Sequence, residues 1–240
     1  MSIVHHAGNP ARPRVTSPES MYETIMELGL VPFFENPVPG YSIEEMTPPQ
    51  FWFDGDGDGA ALGPWDWKIF AVQSGDIAYG KFLWGGKAAF ATLDWYGHLL
   101  NWRRSQPKYQ PTAPQRQILA YLEQYGSIGI REVRGLLGVK KSEADTLITR
   151  LQLQCRVVTG DILRVYRGED LHYNGWQRSS FCTPEALFEA PSGASGNPFF
   201  SGSGLSIPTC PPEESLAALI AHVQKIAPEA TGAQIRKMLG

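Results

Sequence analysis

Cysteine is scarce in this sequence. Cys155, Cys182 and Cys210 are the only three in 240 residues, widely separated and in no Cys-x-x-Cys arrangement. That spacing argues against a disulfide framework and a cysteine-based zinc site, and it fits a reducing cytoplasm. Long apolar runs are missing as well: none approaches the roughly 20 residues a membrane span needs, so no membrane association is expected. The opening MSIVHHAGNPARPRVTSPES has no apolar block of the secretory kind, and residues 1–19 read as a loose tail. His5, His6, His98, His172 and His222 are scattered and form no HExxH or similar ligand spacing, so no metal is implied. There is also no Gly-x-Ser-x-Gly, no P-loop and no Gly-x-Gly-x-x-Gly, and no cofactor is expected.

What is present is an uneven charge. The net of −3 divides into −7 over residues 1–102, +6 over 103–180 and −2 over 181–240. A polyanion would meet the basic middle segment first, although such side chains also simply solvate helix faces. DGDGDG at 54–59 resembles the start of a calcium loop, but the twelfth position, where an EF-hand needs a bidentate glutamate, is Trp65. It reads as an acidic surface loop.

Apolar periodicity predicts a helix from Ser17 or Ser20 to Gly29, with Met21, Ile25 and Leu28 on one face. Prolines 32, 37, 39, 48 and 49 then limit regular structure to short pieces. Three strands are expected at 65–73, 76–84 and 87–93, separated by the breaks SGD and GG, and a helix at 93–104. After the polar linker SQPKYQPTAP come three short helices. The first carries Ile118, Leu119 and Leu122, the second is IREVRGLLG, and the third runs KKSEADTLITRLQLQC with Ser142 as its cap. RVVTGDILRVY then reads as two β-branched runs about a Gly-Asp turn, and GED at 168–170 as another turn. Three helices followed by a hairpin is the order of a winged helix. Residues 169–189 are read as a connection and 190–212 as a Gly/Ser/Pro-rich linker. EESLAALIAHVQKIA begins a helical segment over 213–240 that packs on the body or on a partner.

In that module the third helix would be the reader. Ser142, Asp145, Thr146, Thr149 and Gln152 lie on its outer side with Lys140 and Lys141 at its start; Glu143 and Asp145 would repel phosphate, and Arg150, Arg156 and Arg164 partly offset that. A second group comes from the aromatic-basic stretch. Lys68, Lys81, Lys87, Arg103 and Arg104 are interleaved with Trp65, Trp67, Tyr79, Trp84, Trp95 and Trp102, types that can stack bases and hold phosphates or equally form a core with a charged rim. Tyr79 and Lys81, two apart on an expected strand, share a face.

Trp65-Asp66-Trp67, Tyr79-Gly80-Lys81-Phe82, Lys87-Ala88, Arg103-Arg104 and Thr149-Arg150-Leu151-Gln152, within roughly 22–183, resemble the bacterial AlkZ-related family. That family is linked by name to AlkZ/YcaQ-type DNA glycosylases. The glycosylases are built from tandem winged helices and use a Gln-x-Asp or Gln-x-Gln pair beside a flipped nucleotide. The resemblance draws attention to Gln152 and Gln154 as catalytic candidates. Residues two apart on a helix diverge by about 200°, so the pair could converge on one water only if the chain were already extended there. The glutamines are therefore read as helix surface.

The expected fold is α+β: a small aromatic-rich antiparallel sheet with helices (20–105), a winged helix (112–168) and a helical C-terminal tail. The leading functional expectation is nucleic-acid binding, to DNA, without evident catalytic residues. The alternatives are a glycosylase acting on alkylated or crosslinked bases, and an adaptor that uses a degenerate winged helix to bind a protein partner.

Overall fold

The computed structural model describes residues 14–52, 63–188 and 204–240. The DGDGDG stretch, most of the Gly/Ser-rich linker and all but the end of the N-terminal tail lie outside them.

Val15 is already buried, and its N–H donates to the Met46 carbonyl, so packing begins ahead of position 20. Helix α1 (Pro18–Leu28) starts where Ser17 accepts from the Ser20 N–H at 3.1 Å with Pro18 in the first turn, and stops at Gly29. Strand β1 (Leu30–Pro32) follows, then a one-turn helix α2 (Ile43–Met46). Helix α3 (Pro64–Gln73) occupies the stretch expected to be the first strand. Pro64 opens it, and Trp67, Ile69, Ala71 and Val72 are buried together with Asp66 and Lys68. A segment buried on most sides has no helical period for sequence reading to detect, and its tryptophans, Phe and Ile are strand formers by propensity. SGD is thus a helix-to-strand turn. Strands β2 (Ile77–Gly80) and β3 (Ala89–Thr92) do pair antiparallel across GG, and the third strand is β1, in the order β1-β3-β2. The register sets Phe90 opposite both Val31 and Tyr79. Helix α4 (Leu93–Ser105) leaves the sheet directly.

The next unit keeps the expected order of three helices and a hairpin. Helix α5 (Ala113–Tyr125) ends at Gly126, β4 (Ile128–Gly129) leads into α6 (Ile130–Leu137), and α7 (Lys141–Leu153) follows. Lys140, not Ser142, holds the N-cap position of α7; Ser142 is exposed in its first turn. Helix α7 ends in a Schellman-type turn. The Arg156 N–H reaches the Leu151 carbonyl and the Cys155 N–H the Gln152 carbonyl, both at 2.9 Å, with Cys155 at φ 53°. The hairpin is longer than expected. Strand β5 (Val158–Arg167) passes straight through Gly160-Asp161, where the register shifts as at a bulge. The chain turns at 168–171 instead, with Gly168 at φ 78°. The stretch read as a connection supplies β6 (His172–Cys182), which pairs with β5 and with β4 in the order β4-β6-β5. A short helix α8 (Pro184–Leu187) closes the hairpin.

Helices α9 (Pro212–Ile226) and α10 (Gly232–Leu239) pack on the body. Leu219, Val223, Ile235, Met238 and Leu239 belong to the same core as Ile25, Phe33, Phe90 and Leu99. Ile118, Leu122, Val133, Ile148 and Leu151 form a second, smaller core inside the helix–hairpin unit. Both sheets are antiparallel, and the architecture is α+β.

Candidate functional site

Between the two cores lies a cleft of about 750 Å³. Its construction begins at two glycines. A Cβ on Gly80 would meet Gln152 Oε1 at 3.0 Å, and one on Gly86 would meet the Thr149 methyl at 2.8 Å. The missing side chains, and at Gly86 a φ of 67°, let β2 and the β2–β3 connection come this close to α7. One wall is therefore Tyr79, Lys81, Lys87 and Ala88; the facing wall is Lys141, Asp145, Ile148, Thr149 and Gln152. These α7 positions are three or four apart and fall on one helical face. Trp65 and Lys68 of α3 close one side, and Trp176 to Ser179 of β6 the other. Lys68, Lys81, Lys87, Arg131, Lys141 and Arg178 line the cleft against two acidic residues, Glu132 and Asp145. Asp145 already pairs with Lys141 at 3.4 Å.

The wall formed by β6 is fixed by a buried carboxylate. Asp66 Oδ1 accepts from the Tyr173 hydroxyl at 2.6 Å and from Gln177 Nε2 at 2.9 Å, and Arg164 Nε lies 3.5 Å away. Helix α3 and the long hairpin are thereby held in one arrangement, with Trp65 and Trp176, 38% and 56% exposed, both lining the cleft.

Gln152 and Gln154 are not helix surface. Both are buried, at 2% and 6% exposure. Their divergence does hold. The Gln152 Oε1 accepts the Lys81 N–H at the cleft, while Gln154 Nε2 donates to Gln115 Oε1 at 3.2 Å inside the helical unit. Gln152 is buried because β2 and the β2–β3 connection pack on that side of α7, and Gln154 because it packs against Gln115, tertiary contacts that periodicity within one helix does not reveal. Among the described residues Gln152 Nε2 has no hydrogen-bond partner, which leaves an amide donor at the cleft.

Lys68 is 2% exposed and lines the cleft. Its Nζ donates to the Trp65 carbonyl at 2.7 Å and lies 3.1 Å from the centre of the Trp65 ring. Burial lowers its pKa to about 7, against a smaller upward pull from Asp66. Burial alone pushes the Tyr79 phenol up, so it stays protonated in the physiological range.

Of the residues singled out from sequence, Tyr79, Lys81, Lys87, Lys141, Thr149 and Gln152 come together on the cleft. Lys140, Ser142, Thr146 and Arg150 are exposed on or beside α7 but do not line it. Four arginines are engaged or part-buried elsewhere. Arg103 is fully buried and donates to the Leu153 and Leu239 carbonyls. Arg104 holds the Cys155 carbonyl and Glu185, Arg164 faces Asp66, and Arg156 is half-buried behind α7. Sequence reading passed over Trp176, Gln177 and Arg178, because β6 itself was not recognised. Lys68 was noted only as one cation among several, since a helix buried on most sides has no inner face that its sequence marks.

Among the described residues no helix is long and apolar enough to cross a membrane, and no group of His, Cys, Asp or Glu could hold a metal. No curated protein and no solved structure matches the chain. A family model described as AlkZ related matches residues 15–240, from the buried Val15 through the C-terminal helices, and on that match the chain belongs to the AlkZ-related family.

Proposed function

We propose that residues 112–182 are a winged helix and that the protein binds nucleic acid, taking an unstacked nucleotide into the cleft between this unit and the β1-β3-β2 sheet. The topology supports the first part: three helices, a short strand between the first two, and a hairpin whose far strand pairs back onto it. The observation that carries the second is the cleft itself. It joins five cations and Lys68, the part-exposed indoles of Trp65 and Trp176 and the Gln152 amide in a space of about 750 Å³, inside the range of about 300–1,000 Å³ usual for small-ligand pockets. Cations attract the backbone, aromatic rings stack a base of any sequence, and an amide reads its edge. Half of the polar side of α7 faces this cleft and not open solvent, which favours an extruded nucleotide over the groove of an intact duplex.

Fluorescence anisotropy tests this. A duplex with one unpaired nucleotide should bind more tightly than the perfect duplex. If about four phosphates are contacted, log K should fall with log salt at a slope near −3.6. Lys81→Ala with Lys87→Ala should weaken all substrates alike. Absence of binding at micromolar protein and low salt removes the proposal.

A base-excision reading is favoured by one observation, the free amide of Gln152 in the cleft. It would use Gln152 without Gln154, whose side chain points elsewhere. Release of an alkylated base from duplex DNA, lost in Gln152→Ala with binding retained, is its test.

A further inference from the structure

We propose that Lys68 is a neutral amine nucleophile of the cleft, which condenses with the aldehyde carbon of a base-less, ring-opened sugar in nucleic acid. The inference rests on the nucleic-acid reading above and adds a chemistry to it.

The geometry supports a neutral amine in three ways. Lys68 is enclosed, and among the described residues no carboxylate forms an ion pair with it. A buried ammonium without a partner carries a large desolvation penalty and releases its proton instead. Secondly, the surroundings match the hydrogen count of an amine. One N–H is taken by the Trp65 carbonyl at 2.7 Å, and a second can rest on the Trp65 ring at 3.1 Å. With its two N–H groups so placed, the amine keeps its lone pair for attack on carbon. Thirdly, Lys68 sits on a helix locked by the Asp66 contacts to Tyr173 and Gln177, so the nitrogen is held in place beside the cleft. Burial lowering its pKa to about 7 is consistent with all three. A desolvated lysine of this kind attacks carbonyl carbon.

A sugar that has lost its base presents C1′ as an aldehyde once its ring opens. It is also the nucleotide most easily swung out of a duplex, since no pairing or stacking opposes it. The Nζ lone pair forms the new C–N bond while the carbonyl π pair moves to oxygen, which takes up the proton lost by nitrogen. The nitrogen lone pair then expels that oxygen as water with one added proton, leaving a protonated imine. No oxidant or reductant is consumed. Borohydride added from outside delivers hydride to the imine carbon and makes the link permanent.

The test is borohydride trapping of the full chain with a duplex containing one abasic site, followed by proteolysis and mass mapping. The expected result is an adduct on Lys68, formed at a rate that rises through about pH 7, where half of the amine is free, and then levels off. Lys68→Arg and Lys68→Met should lose the adduct when each is assayed at a protein concentration that anisotropy shows to saturate the duplex. Because mapping is done on the wild type, a variant that fails to fold does not obscure the answer. Binding without an adduct, or an adduct confined to Lys81, Lys87 or Lys141, overturns the inference and leaves the nucleic-acid reading intact. Failure to bind any duplex overturns both. Independently, labelling the lysines by reductive methylation with carbon-13 formaldehyde and titrating them by NMR should give Lys68 the lowest midpoint; one near 10.5 overturns the inference on its own.

Discussion

Gln152 and Lys68 show how much a residue's role depends on what packs over it. By sequence both are polar side chains on helices, where substitutions usually cost within about 0.5 kcal/mol. In the fold each is 2% exposed. Gln152→Ala removes the acceptor of the Lys81 N–H, and Gln154→Ala removes a donor to Gln115. Gln115 Oε1 keeps its bonds from Thr112 and the Lys81 N–H is only part-buried, so each loss is that of one hydrogen bond, about 0.5–1.5 kcal/mol, and urea denaturation should show each variant destabilised in that range. Lys68 acts on stability in the other direction and with a pH signature. Its folded pKa, about 7, lies below the ordinary 10.5, so between those values the unfolded chain binds the extra proton. Its contribution is therefore most unfavourable below pH 7 and rises with pH up to about 10.5. The stability of Lys68→Met relative to wild type should be greatest at pH 6 and decline by pH 9; a difference that does not change with pH would contradict the burial argument.

At the scale of elements, the sequence was legible where one face meets one core. Helix α1 with its Ser17 cap, helix α4, the order α5-α6-α7, and the amphipathic α9 all follow from period and caps. It was illegible where an element is buried on several sides or pairs at long range. Helix α3 is enclosed and carries strand-forming side chains. Strand β6 is split by polar and glycine residues, and only its pairing with both β5 and β4 reveals it. The candidate site suffers most from this, since it is built where α3, β6, α7 and the β2–β3 connection meet. The hairpin offers a clean experiment. Trp176 is 56% exposed and lies 4.9 Å from the Arg167 guanidinium, so Trp176→Ala should change stability by no more than about 0.5 kcal/mol. If the indole stacks a base, nucleic-acid affinity should fall by about 1–3 kcal/mol, roughly 5- to 150-fold by anisotropy. Unchanged affinity would remove Trp176 from the interface.

At the scale of the molecule, the two cores are joined by buried charge. Arg103 on α4 is fully enclosed and reaches the Leu153 carbonyl at the end of α7 and the Leu239 carbonyl at the end of α10. These are helix C-termini, whose last carbonyls lack partners within the helix and carry partial negative charge. One guanidinium thus ties the sheet unit, the helix–hairpin unit and the C-terminal helices together, and its neighbour Arg104 adds the Cys155 carbonyl and Glu185. The cleft exists only while the two units keep their relative position, so this junction governs the site at a distance. Arg103→Ala leaves two buried carbonyls without donors. Since hydrogen bonds to a charged group are worth about 1.5–3 kcal/mol each, the loss should be at least about 2 kcal/mol in urea denaturation. Six of the seven tryptophans lie in the sheet unit and Trp176 on β6, so fluorescence is weighted to the sheet unit, whereas circular dichroism reports the helices of both units. Fluorescence and circular dichroism should therefore report one coincident transition in the wild type and two separated ones in Arg103→Ala. A variant that loses stability but keeps a single coincident transition would mean that the packing of β5 against α3 and β2, and not Arg103, couples the two cores.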